Sequence, residues 1–261
     1  MNLNPIIIQR KRLHNKLWDI VQPNSTQIEQ ELNEHKRTFY KESAYRFPVD
    51  AYITPGLNML CKSVKERLHV DKDVAFFIDD CAIISAYCMV SGNKEYPSIV
   101  TLSSGAVNRL NDKELAFLIG HELGHIIMED DMVRYFYHKC YSKDKVPQEL
   151  AHTKHVHALL SEMEADRYGY LACESLADYV SLQYKLTGGL DIEKHGVTVP
   201  TFLWANRRRL QLFMDGGWLG NDHPANALRI EAVHIFATSK SASELRNRMQ
   251  PIIDSILRCE D

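Results

Sequence analysis

"AFLIGHELGHIIMED" (116–130) holds two histidines four positions apart, with a glutamate directly after the first. On an α-helix that spacing separates His121 and His125 by about 6 Å along the axis and about 40° around it, so both imidazoles face one way. Two neutral imidazoles placed so can share one Zn²⁺ at about 2.0–2.1 Å per bond. Glu122 stands a quarter turn on, near the ion without binding it, where a general base can take a proton from water. The competing reading is a core helix whose histidines merely satisfy hydrogen bonds. Average residue usage yields a chance HExxH in roughly one chain in a hundred of this size, so the pattern favours a metal.

A catalytic zinc needs a third protein ligand and an open position. The HExxHxxGxxH pattern would require Gly at 128 and His at 131; Met128 and Asp131 exclude it. His138 lies a little farther on and is one alternative. The second is "SEMEADRYG" (161–169), where Glu162 and Asp166 share a helical face and Glu164 points elsewhere. One of these carboxylates can bind the ion while its neighbour a turn along hydrogen-bonds a zinc histidine. Ala165 and Gly169 are small enough to let two helices approach closely.

The rest of the chain reads as α+β, mostly helical with one small antiparallel sheet. Apolar residues at helical spacing mark 9–21 and 25–42, and "TPGLNMLCKSVKERL" starts with Thr54 as N-cap and Pro55 at the first helical position. "VAFFID" (74–79), "AIISAYCMV" (82–90) and "PSIVTL" (97–102) are β-rich, the last two joined as a hairpin. Asn111 or Asp112 caps the HELGH helix, with Glu114 in its first turn. Residues 132–150 read as a partly irregular excursion that could cover the cleft. A helix then runs from 153 until Gly188-Gly189 stops it, and three more helices close the chain.

Bulk properties narrow the function classes. The 261 residues suit one sizeable domain, divided here into a helical segment 1–50 packed on a core unit 51–261. A net charge of −3 without a basic face argues against nucleic acid; "NRRRL" (206–210) reads as a solvated helix side. No apolar run reaches the ~18 residues of a membrane span, and "PIII" precedes "QRKR", the reverse of a signal peptide. Six scattered cysteines without a CxxC pair suggest reduced thiols and a cytoplasmic setting, with Cys88 a packing residue near the site. The three histidines of "HTKHVH" (152–157) are expected at the surface or cleft mouth, and Trp18, Trp204 and Trp218 as packing anchors.

"HELGH", then "EMEADRYG", then "DHPANALRI" (222–230), in that order, resemble the M48 family of zinc metallopeptidases. The strand, hairpin and short helix before HELGH are similar as well, so the likeness extends over about residues 50–240. It implies a zincin-like (gluzincin) domain with one Zn²⁺ held by His121, His125 and Glu162, and Glu122 as general base. It also implies Asp166 as support for a zinc histidine, His223 as a hydrogen-bond donor to the oxyanion, and Arg229 as an acid-pairing residue near the site. The implied activity is endopeptidase cleavage of a peptide bound as an extended strand along 82–90; a catalytically silent zinc-binding regulatory module and a zinc hydrolase of other bonds are the alternatives. Where the family's strand often carries Asn, this chain has Ala86, and the first fifty and last twenty residues have no counterpart.

Overall fold

The computed structural model describes residues 4–91, 96–129, 147–216 and 225–258, with Val133 and Tyr135 between. Two N-terminal helices, α1 (Pro5–Val21) and α2 (Ser25–Ser43), precede a short strand β1 (Phe47–Pro48) and helix α3 (Pro55–Arg67). Strands β2 (Val74–Asp79), β3 (Ala86–Met89) and β4 (Ser98–Ser103) follow, then the short helix α4 (Ser104–Arg109) and α5 (Asp112–Met128). Helices α6 (Gln148–Cys173), α7 (Leu176–Gly188), α8 (Val199–Gly216), α9 (Asn226–Thr238) and α10 (Ala242–Leu257) complete the described chain.

The four strands form one sheet in the order β1-β2-β4-β3. The sheet is mixed: β1–β2 and β3–β4 are antiparallel, but β2 runs parallel to β4, with Val74 opposite Ser98 and Asp79 opposite Ser103. The hairpin expected between 82–90 and 97–102 is present, in the register Ala86↔Leu102 to Met89↔Ile99. It folds β3 to the outside and leaves β4 in the centre, beside β2. Central placement explains why all six residues of β4 are buried, and β3 is an outer strand among the described residues.

Local sequence accounts for the ends of α5. The Asn111 side chain accepts from the backbone N–H of Lys113 and Glu114 at 3.0 and 2.9 Å, and Glu114 accepts from the Asn111 N–H at 2.9 Å, a reciprocal cap. Glu114 is fully buried and also takes Lys185 of α7 at 2.6 Å, so one side chain caps a helix and pins its neighbour. At α3 the expected cap differs: Thr54 makes no side-chain bond to the helix and its hydroxyl instead accepts from the Asp50 N–H at 2.9 Å.

The expected single helix after 153 is two helices. Glu174 turns left-handed at φ 50° and ends α6, and the Ser175 hydroxyl accepts from the Asp178 N–H at 3.2 Å to start α7. The signal was present as Ser175-Leu-Ala-Asp178, a cap motif embedded in an otherwise helical run. The excursion 132–150 lies outside the described residues except for Val133, Tyr135 and its end, where α6 begins.

Two apolar cores flank α5 and α6. One joins α3, the sheet, α5 and α7; the other joins α1, α6, α9 and α10 around Ile6, Leu159, Leu160, Met163, Leu228 and Met249. Between them α5 and α6 make the most extensive helix pairing of the fold. Two glycines allow it: a Cβ on Gly120 would lie 2.4 Å from the Ala172 Cβ, and one on Gly169 would lie 2.8 Å from the Phe117 carbonyl oxygen. Trp204, by contrast, is no anchor: it is 61% exposed, with Arg208 stacked over its ring. Trp218 lies outside the described residues. Arg207, Arg208 and Arg209 do form a solvated helix side.

Gly120→Ala should therefore overpack the α5–α6 seam and cost about 1–3 kcal/mol. The check is urea unfolding, with a lower midpoint at unchanged m-value.

Candidate metal centre

Three side chains from α5 and α6 converge at the seam. The Nε2 atoms of His121 and His125 are 3.3 Å apart. Glu162 places Oε2 at 3.5 Å from His121 Nε2 and Oε1 at 3.5 Å from His125 Nε2. Two ligand atoms each about 2.0–2.1 Å from one zinc, spread at the tetrahedral angle, stand about 3.3 Å apart. All three separations are within 0.2 Å of that, and His121, His125 and Glu162 are the group of potential metal-holding residues found among those described. The donor set, two imidazoles and a carboxylate, fits zinc.

Behind the cluster, Asp166 of α6 lies 3.0 Å from His121 Nδ1, on the ring edge that faces away from Glu162. A carboxylate at Nδ1 accepts the proton there and leaves Nε2 with its lone pair toward the cluster. Arg229 of α9 grips the same carboxylate with both ends of its fork, Nε to Oδ2 at 2.7 Å and Nη2 to Oδ1 at 2.6 Å. Asp166 is fully buried, so this two-point pairing keeps a charge in the interior satisfied.

The three acids of "EMEAD" divide as their spacing predicts, Glu162 and Asp166 toward α5 and Glu164 away from it. Glu162 meets the two histidines and Asp166 the back of His121. Glu164, expected to point elsewhere, takes Arg10 Nε of α1 at 2.5 Å in a buried pair. Arg10 was not foreseen, because a basic residue in the first helix carries no local signal of its partner 154 positions away. Glu122 is buried at 7% exposure within the same turn as His121. His138 and His223 lie outside the described residues.

Charge favours a cation at this point. Burial works against an imidazolium at His121, yet its hydrogen bonds to Asp166 and Glu162 outweigh burial and raise its pKa to about 10. Burial likewise works against charge on Glu162 and Asp166. The neighbouring His121 for the first, and Arg229 for the second, still hold both carboxyls below their ordinary range. Three carboxylates against one guanidinium leave a formal −2 when the histidines are neutral, which one divalent ion balances.

Residues 56–143 match the model of Peptidase family M48. This stretch of the chain is similar to an M48 metallopeptidase domain. The match runs from α3 through the sheet and the HELGH helix and stops before Glu162, Asp166 and Arg229, whose places are known from geometry. No curated protein and no solved structure matches the chain. No helix among the described residues is long and apolar enough to cross a membrane.

One further sequence reading changes and one agrees with the structure. His157, expected near the surface, is 2% exposed and packs its ring 5.6 Å from that of His14 on α1. Cys88 on β3 packs against the apolar core beside α5, as expected of a packing residue.

Arg229→Leu removes both hydrogen bonds from a fully buried carboxylate and should cost about 3–5 kcal/mol. Chemical denaturation of the metal-free protein measures it, and a loss below ~1 kcal/mol would contradict the pairing described.

Proposed function

We propose that this chain is a zinc-dependent endopeptidase in which His121, His125 and Glu162 hold one Zn²⁺. The observation that supports this most is the convergence of two imidazole nitrogens and one carboxylate, drawn from two helices, to 3.3–3.5 Å of one another. When bound, zinc supplies a Lewis acid that brings the pKa of water to about 7 and polarises a carbonyl. Glu122 takes one proton from the water whose oxygen attacks the peptide carbonyl carbon. As the C–N bond breaks, Glu122 returns that proton to the leaving amine nitrogen. His223 donates a hydrogen bond to the carbonyl oxygen as negative charge collects there. Asp166, itself held by Arg229, keeps His121 in the tautomer that offers Nε2.

The substrate is a peptide in extended form. β3 is an outer strand of the sheet among the described residues, and its core-facing residues Ala86 and Cys88 pack beside α5, the helix that carries the histidines. A peptide added there gains backbone hydrogen bonds that do not depend on its side chains. The free thiols of Cys61, Cys81 and Cys173 support a reducing, cytoplasmic setting.

Four variants test this reading against a broad peptide library, with zinc content measured alongside. Glu122→Gln should lower cleavage by about 10²–10⁴-fold while zinc stays bound. Glu162→Ala should lose the metal. Asp166→Asn should keep the site but weaken zinc about 10–100-fold. His223→Ala should lower kcat about 10²–10³-fold with zinc retained. Cleavage that survives Glu122→Gln would refute the mechanism, and a zinc-loaded wild type that cleaves nothing would instead mark a catalytically silent binding module.

A further inference from the structure

A cavity of about 510 Å³ lies between the N-terminal helices and the C-terminal end of α5, a volume within the ~300–1,000 Å³ of ligand pockets. Met128 and Glu129 form its α5 wall. They follow His125 by three and four positions. On a helix they stand one turn on, about 60° to one side of it and about 40° to the other, on the face that carries both metal histidines. Val90 and Ser91, directly after β3, form a second wall. The cavity therefore continues the histidine face of α5 past the end of the outer strand.

Its opposite walls come from α1 and α2, outside the stretch 56–143 that matches Peptidase family M48. Trp18 stacks on His14 with ring centroids 6.5 Å apart and planes 6° from parallel, and both rings line the cavity. The buried side chains of Leu32, Val90 and Met128 add apolar surface. Charges of both signs stand among them. An acidic guest would meet Glu29 and a basic one Lys36, while Glu129 is already paired with Lys72. A neutral guest meets neither repulsion. An aromatic ring suits this lining best, since it packs offset or edge-on against Trp18 and takes the Met128 sulfur at its edge.

We propose that this cavity receives an aromatic side chain of the substrate peptide, one or two residues from the bond that is cut. The inference rests on the endopeptidase reading above and names the side chain that it selects. The distance follows from geometry: one helical turn past His125 is about 5.4 Å, and an extended peptide advances about 3.3 Å per residue. Backbone hydrogen bonds along β3 hold any sequence, whereas a walled cavity tells side chains apart. Because α1 and α2 supply most of the wall, the preference belongs to this chain rather than to the matched region alone.

The test is a peptide library cleaved by the full-length wild type, Asn33→Trp and Trp18→Ala, with zinc content and urea unfolding measured on each. Wild type should enrich aromatic residues at one position within two residues of the cut. Asn33 lines the cavity from the half-buried side of α2, so Asn33→Trp fills the space with an indole. It should lower the kcat/KM ratio of aromatic to alanine peptides at that position by ~10-fold or more. Trp18→Ala removes the ring that the guest packs on and should lower the same ratio about two- to tenfold. Zinc should stay bound in both. No aromatic enrichment, or an unchanged ratio in a folded, zinc-loaded Asn33→Trp, would overturn the proposal; where Asn33→Trp does not fold, the ratio in Trp18→Ala decides in the same way. Cleavage without aromatic preference leaves the endopeptidase reading standing and removes only the role of the cavity. A zinc-loaded wild type that cleaves no peptide removes both.

Discussion

A single buried carboxylate, Asp166, joins three helices that are far apart in the chain. It belongs to α6, touches His121 of α5 and is gripped at two points by Arg229 of α9. Burying such a charge is expensive, and an ion pair in the interior seldom adds much net stability over an apolar replacement. What the pairing adds is orientation. An imidazole free to rotate could present either nitrogen, whereas one tied at Nδ1 presents Nε2 to the point where His125 and Glu162 also aim.

That arrangement depends on how closely α5 and α6 approach. Gly120 and Gly169 let backbone meet backbone at the seam, which brings the Glu162 oxygens of α6 to 3.5 Å from the histidine nitrogens of α5. Larger residues at those positions would hold the helices apart, and a carboxylate moved by an ångström no longer shares an ion with two imidazoles. Packing and chemistry are therefore one constraint here. The small residues within and beside the motifs matter as much as the histidines.

The N-terminal helices are built into the same frame. Ile6 of α1 enters the core formed with α6, α9 and α10, and Arg10 pairs with Glu164, the acid between the two site carboxylates. His14 packs at a tilt against His157, about one turn and a half before Glu162. The matched family region begins only at residue 56, so α1 is an addition that braces the helix carrying Glu162 from outside that region. A brace of this kind limits how far α6 can shift when the site changes charge.

Much of this was legible in the chain before any coordinates. Helical spacing, the Asn111–Glu114 cap and the four-residue spacings of His121/His125 and Glu162/Asp166 are local relations, and local relations survive into the fold because 3.6 residues per turn determine which side chains share a face. The sheet was less legible, since period-2 patterns reveal strands but not which strand becomes central; β2 and β4 pair parallel only because the intervening hairpin carries β3 to the outside. The break at Glu174 was missed because the cap at Ser175 competes with a strong helical pattern on both sides. By itself, then, the sequence determined the elements and the pairs of residues on each face. Only the tertiary structure decided that Arg10 meets Glu164, that Arg229 meets Asp166 and that Tyr179 packs on Phe117, because those contacts are set by how whole helices dock, a property of summed packing that no short window of residues contains.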